Sequence, residues 1–186
     1  MVTSTARLPA LRVALLRGVN LGPHRRLAMA DLREVAEGLG WTDVATHLQS
    51  GNLLFGSPLP DAEAVPALRR AVERELAIRV DVVLRTGRAL RELLDANPYA
   101  GSDPARAVIV CCDRAVGDLA PRRLAELAQG RERFSIAATG TDLYADFPDG
   151  QAASRLAAGL VGALRPAMGT ARNLRTMGKL AELLGA

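Results

Sequence analysis

The chain has 186 residues, 49% of them apolar and 3% aromatic, with a formal net charge of +4. That length fits one large or two small domains with a genuine core, and a modest positive charge speaks to solubility and loose anion affinity rather than to fold. The only histidines are His24 and His47, and the only cysteines are the adjacent Cys111 and Cys112, so a metal cluster and a disulfide framework are not expected; no cofactor is expected either.

The first segments read as a β-α-β-β-α-β unit. Residues 1–10 read as a loose tail. RVALLR (12–17) is a short apolar run of the kind that forms a buried strand. MADLREVAEGLG repeats Leu32, Val35, Ala36 and Leu39 at helical spacing, and Gly40 closes it. VATHLQSGNLLF holds two strands around a Ser-Gly-Asn turn. DAEAVPALRRAVEREL is helical, with Asp61 as its expected cap and Leu68, Val72 and Leu76 facing inward. RVDVVLR (79–85) is a strand. The order is the ferredoxin-like one, placed over residues 1–86.

The second half, residues 87–186, reads as a related and smaller unit. Thr86 is positioned to cap GRALRELLDA, which stops at Asn97-Pro98. AVIVCC is a continuous apolar strand, and its neighbouring cysteines point to opposite faces as reduced core thiols. APRRLAELAQG is helical. RFSIAATGTDLYADF is a second hairpin, and QAASRLAAGLVGAL a further helix. ARNLRTMGKLAELLGA is read as a last helix with Leu174, Met177, Ala181 and Leu184 inward and Arg172, Thr176 and Lys179 on another stripe. The expected order is β-α-β-β-α-α, a diverged copy in which a helix replaces the last strand. The fold class is therefore α+β. Strands are expected near 11–17, 44–48, 52–56, 79–85, 107–112, 133–138 and 141–146.

No apolar run of ~10 residues follows a basic start, and none reaches the ~20 residues of a membrane span. A cytoplasmic chain with no membrane partner is expected. Charge is uneven along it. Residues 1–30 and 150–181 contain no acid, and each stretch carries five basic residues. Two such segments make a positive site if they share one. In the β-α-β-β-α-β order, the end of strand one and the turn between strands two and three lie at the same end of the sheet. Arg17 and Asn20 are thereby expected near Gln49, Ser50 and Asn52, beside the loop GPHRR. One guanidinium, two amides and a hydroxyl suit a phosphate or carboxylate, with backbone N–H groups exposed at Gly18 and Gly51. Each residue also has a bland role open to it: Asn20 in a loop, Ser50 in a turn, Arg17 in an ion pair.

ALLRGVNLG, QSGN, NPY (97–99), LYADFPDG with Ser154 after it, and TARNLRTMGKL occur in this order along nearly the whole chain. On these motifs the sequence resembles the bacterial family named domain of unknown function 1697. The resemblance implies a two-part α+β protein and no settled activity. The polar motif positions it marks are Arg17, Asn20, Gln49, Ser50, Asn52, Arg172, Asn173, Thr176 and Lys179. The chain departs from the family pattern at Ala171, at Leu174 where the family carries tryptophan, and at Arg175.

The expected ligand is an anionic small molecule such as a nucleotide, bound by these residues, with the two basic segments sharing the site. A small-molecule enzyme acting on a phosphorylated metabolite is one alternative, and a nucleic-acid backbone binder or a partner-binding protein is another. Base stacking on strands one and three is disfavoured, because RVALLR has no aromatic residue and NLLF has only Phe55. Ser50 is the only nucleophile in a motif, and His47 should face the other side of its strand. Asp142 and Asp146 near Tyr144 are acid–base candidates of an ordinary kind.

Overall fold

The structure is a computed structural model that describes residues 11–20 and 26–186. The tail 1–10 and most of the GPHRR loop, including His24 and Arg25, lie outside the described residues. The chain divides into two units, Met1–Thr86 and Gly87–Ala186, each with its own four-stranded antiparallel sheet.

The first unit contains β1 (Arg12–Arg17), α1 (Met29–Gly38), β2 (Thr42–Thr46), β3 (Asn52–Gly56), α2 (Asp61–Leu76) and β4 (Asp81–Thr86), in sheet order β2-β3-β1-β4. Alternate strand residues Ala14, Leu16, Leu53, Phe55, Val82 and Leu84 form one core with the inner faces of α1 and α2. On α1 that face is Met29, Leu32, Val35 and Ala36, spaced to recur once per turn. The helix ends in a Schellman arrangement. Gly40, at φ 76°, donates to Glu37 O at 2.9 Å, and Trp41 N–H reaches Ala36 O at 3.3 Å. α2 is preceded by Pro60, so Asp61 is its first residue rather than its cap. The Asp61 carboxylate instead receives the Arg12 guanidinium at 2.7 Å.

The second unit contains α3 (Gly87–Asp95), β5 (Ala107–Cys112), α4 (Ala120–Leu127), β6 (Arg133–Ile136), β7 (Asp142–Asp146), α5 (Arg155–Ala163), β8 (Gly169–Asn173) and α6 (Leu174–Leu183). Its sheet order is β6-β7-β5-β8. α4 and α5 close one core over Val108, Val110, Leu143 and Ala145. α6 packs on α3, β5 and β8. Cys111 and Cys112 are buried and not joined in a disulfide.

One expectation is corrected here. The last strand is not replaced by a helix: Gly169–Asn173 is a fourth strand, paired with β5 from Val108↔Asn173 to Cys112↔Gly169. Its backbone groups on that side are satisfied by the ladder, so its poor apolar pattern does not prevent it from forming. The helix begins only after Asn173, whose Oδ1 accepts from Thr176 N–H at 2.9 Å. The second unit is thus β-α-β-β-α-β with a helix at each end, and it is the larger of the two.

The registers equate the two sheets residue by residue except in β2, where the pairing shifts between Thr42 and Ala45. Leu15 opposes Asn52 as Cys111 opposes Asp142. Both β-hairpins close alike, with His47 N–H to Asn52 O at 3.0 Å and Ala137 N–H to Asp142 O at 2.9 Å. The loops 48–51 and 138–141 are therefore the same length. Gly51 corresponds to Thr141, and Gly140 to Ser50, so the glycine is displaced by one position between the copies.

Candidate functional site

The end of β1 and the β2–β3 hairpin meet as the topology requires. Leu16 N–H donates to Gly51 O at 2.8 Å. Gly51 is dictated twice over at this point. Its φ is 75°, and a Cβ there would lie 2.7 Å from Val19 Cγ2 and 2.8 Å from Leu16 Cβ.

Asn20 is the organiser. It adopts φ 58°, a left-handed conformation that asparagine tolerates better than most residues. Its Nδ2 donates to Gln49 O at 2.7 Å and to Leu27 O at 3.0 Å, and its Oδ1 accepts from Leu27 N–H at 2.8 Å. One side chain thus fastens the segment leaving β1 to both the hairpin and the segment entering α1. Beside it lies a cavity of about 470 Å³ lined by Asn20, Arg26, Leu27, Ala28 and Gln49. Ala28 precedes α1 and offers no side-chain cap, so the first N–H groups of that helix lack the usual side-chain acceptor.

The other expected residues of the first unit have more local roles. Asn52 is fully buried and donates to His47 O at 2.8 Å and to Ser50 Oγ at 3.1 Å. Ser50 therefore supports the hairpin, and His47 contributes its backbone. Arg17 is exposed but turns toward β4, where Nη1 lies 4.0 Å from Asp81 Oδ2. Phe55 is fully buried and stacks on Trp41 with centroids 4.0 Å apart, so the one aromatic residue of β3 is committed to the core. Arg26 is not one of the family's polar motif positions; its place in the GPHRR loop and in the acid-free segment 1–30 is the signal that marks it.

In the second unit, Arg172 lies on β8 opposite Ile109. It donates to Thr170 Oγ1 and Ala171 O, both at 2.8 Å. Burial pushes its guanidinium down to about 10, against the opposing influence of Cys111, and leaves it charged at neutral pH. Asn173 caps α6, and Thr176 is buried as the residue whose N–H is capped. Lys179 is exposed and pairs with Glu182 at 2.8 Å. Leu174, at the family's tryptophan position, is a buried first residue of α6.

The carboxylate candidates are engaged in the fold. Asp142 Oδ2 accepts from the hydroxyls of Thr139 and Thr141, both at 2.9 Å. Asp146 is buried and held by Arg133, which also lies over the Tyr99 ring, 4.9 Å from its centroid. The Tyr144 hydroxyl donates to Leu93 O at 3.0 Å, and burial makes it harder to ionise than an ordinary tyrosine. Among the described residues, no group of three or more His, Cys, Asp or Glu side chains is placed to hold a metal. None of the described helices is long and apolar enough to cross a membrane.

Among solved structures, a conserved bacterial protein from Streptococcus pneumoniae matches with a TM-score of 0.76. It shares 22% identity, over 94% of this chain and 98% of that one, which shows a common fold. No curated protein matches the chain. A family model covers residues 11–144, from the start of β1 to the middle of β7, and leaves β8 and α6 outside it. Its description is protein of unknown function (DUF1697), and the chain belongs to that family.

Proposed function

We propose that the first unit binds a small anionic molecule, a phosphate- or carboxylate-bearing metabolite or nucleotide, in the cavity beside Asn20. One contrast between the two copies carries this reading. In the second unit the segment leaving β5 is zipped to its hairpin through the backbone, Val116 N–H to Gly140 O at 2.8 Å. In the first unit the Asn20 side chain reaches Gln49 O, one position before the counterpart of Gly140, and the connection to the helix is longer, residues 18–28 against 113–119. The cavity lies beside this side-chain bracket, lined by Asn20, Gln49 and the residues that enter α1. A fold that needed only to join β1 to α1 has the shorter solution in its own second half.

The lining suits an anion with a small organic body. Arg26 supplies an exposed guanidinium, the Gln49 amide supplies a donor and an acceptor, and Leu27 and Ala28 supply apolar surface. The start of α1, which has no side-chain cap from Ala28, and its dipole favour negative charge on the same side. Asp31 in the first turn partly offsets that field.

Titration of the full chain with inorganic phosphate, acetate and AMP, followed by amide shifts in 1H–15N spectra, tests the reading. Saturable shifts at Asn20, Leu27, Ala28 and Gln49, lost in Arg26→Ala, are expected. Shifts scattered over the surface without saturation would refute it. Salt dependence separates a small ligand from nucleic acid, whose affinity falls with a log–log slope of about −0.9 per duplex phosphate contacted.

A further inference from the structure

Resting on that reading, we infer that the anion site extends across the end of β1 to a pair of arginines, Arg17 and Arg69, held in reserve by the single carboxylate of Asp81, and that its preferred ligand is a phosphate dianion. Arg17 ends β1, and Asp81 begins β4 directly opposite it in the ladder. Arg69 projects from the outer face of α2, whose inner face is Ala64, Leu68, Ala71 and Val72. Arg17 Nη1 lies 4.0 Å from Asp81 Oδ2, and Arg69 Nη2 lies 3.7 Å from Asp81 Oδ1.

Both separations exceed the 2.7–2.9 Å typical of a charge-assisted hydrogen bond. The contrast lies within the same unit: Arg12–Asp61 closes to 2.7 Å and Arg79–Glu73 to 2.6 Å. Two guanidiniums thus share one carboxylate without a hydrogen bond to it, so their planar donor forks remain available and the cluster keeps a net positive charge. The side chains are 41%, 54% and 45% exposed for Arg17, Arg69 and Asp81, open to a ligand from solvent. A carboxylate ligand is matched by one fork. A phosphate presents enough oxygens and charge for two, and two forks binding one group is the arrangement that arginine geometry favours.

The roles have opposite signs, which makes the inference decidable. Arg69→Ala should weaken inorganic phosphate binding to the full chain by about tenfold, the loss of one charge-assisted contact. Asp81→Asn should tighten it by about threefold, because a repelling charge a few ångströms away in a water-like dielectric is removed. Glu63→Gln, an equal change of net charge placed on α2, the helix that carries Arg69, should leave affinity unchanged. Acetate should bind more weakly than phosphate and respond little to Arg69→Ala. Methyl phosphate, whose second ionisation falls near ~6, should bind more tightly as pH rises from about 5 to about 7. Fluorescence of Trp41, the only tryptophan in the chain and stacked on Phe55 in the core of this unit, reports whether each variant is folded. If Arg26→Ala abolishes phosphate binding while Arg69→Ala and Asp81→Asn leave it unchanged, the extension is wrong and the cavity reading stands. If Asp81→Asn and Glu63→Gln tighten binding equally, the effect is bulk charge and the inference fails. If phosphate produces no saturable response in the unsubstituted chain, both fall.

Discussion

Replacing Asn20 separates its two tasks, backbone conformation and bracing. Asn20→Ala removes three hydrogen bonds and places a Cβ residue without local side-chain support at φ 58°. Asn20→Gly removes the same hydrogen bonds but suits that φ. The site is half-buried, so water can replace part of what is lost, and each bond is worth the low end of its range, about 0.5 kcal/mol. The left-handed conformation costs an alanine about 1 kcal/mol more than a glycine. Unfolding free energy should fall by about 2–3 kcal/mol in Asn20→Ala and by about 1.5 kcal/mol in Asn20→Gly. Urea denaturation followed through Trp41 reports the first unit specifically. With a slope of about 1–3 kcal/mol per molar urea, the alanine midpoint should fall by about 0.7–3 M. A glycine variant as stable as the parent would show that the bracket carries no weight. An alanine variant equal to the glycine variant would show that the φ argument is wrong. The cavity makes a linked demand: both variants should lose phosphate affinity even at urea-free stability, because Gln49 and Leu27 are no longer held at fixed separation.

Gly51→Ala should destabilise the first unit by about 2–4 kcal/mol, since its Cβ meets Leu16 and Val19 and its φ is unfavourable for alanine; thermal melts check this. In the second unit, Arg133→Ala should cost more stability than Asp146→Ala. The former strands a buried carboxylate, whereas the latter frees an arginine that can reach water, and a gap of about 1–2 kcal/mol is expected in chemical denaturation. At Asp113, burial raises the carboxyl, but hydrogen bonds from Arg114 and Met168 N–H outweigh it and hold the group below its ordinary value. Its contribution to stability is therefore present above pH 3.8 and is lost as pH falls through the lower folded value. Asp113→Asn should flatten the acid limb of the stability profile below about pH 4, and an unchanged acid limb would contradict the assignment.

Much of this architecture is legible in the residues. The apolar runs RVALLR, NLLF and AVIVCC and the periodic helices fall within a few positions of where the structure has them, because each has enough buried side chains to declare its period. β8 does not. Gly-Thr-Ala-Arg-Asn has neither alternation nor bulk, and it is a strand because β5 offers a ladder, a long-range fact absent from the five residues themselves. Asn173, which caps α6, marks where that helix begins. At the candidate site, topology places Arg17, Asn20 and the hairpin at one end of the sheet, and Asn20 does reach Gln49. Which way Arg17 turns depends on Asp81, sixty-four positions later and aligned only by the β1–β4 register. Lys179 illustrates the limit of charge runs: its partner Glu182 stands just past the acid-free segment.

The shared length of the two hairpins conceals an inversion of hydrogen-bond polarity. At the last position the first copy keeps a donor, Asn52 Nδ2, and surrounds it with oxygen acceptors, His47 O and Ser50 Oγ. The second copy keeps an acceptor, Asp142 Oδ2, and surrounds it with donors, the Thr139 and Thr141 hydroxyls. The hydroxyls of Ser50, Thr139 and Thr141 can donate or accept, so the central side chain sets the polarity and these neighbours turn to match it. An amide at position 142 would keep both threonine contacts by turning them round, whereas a carboxylate at position 52 would be set against His47 O, so the two loops differ in how readily their central residue can change.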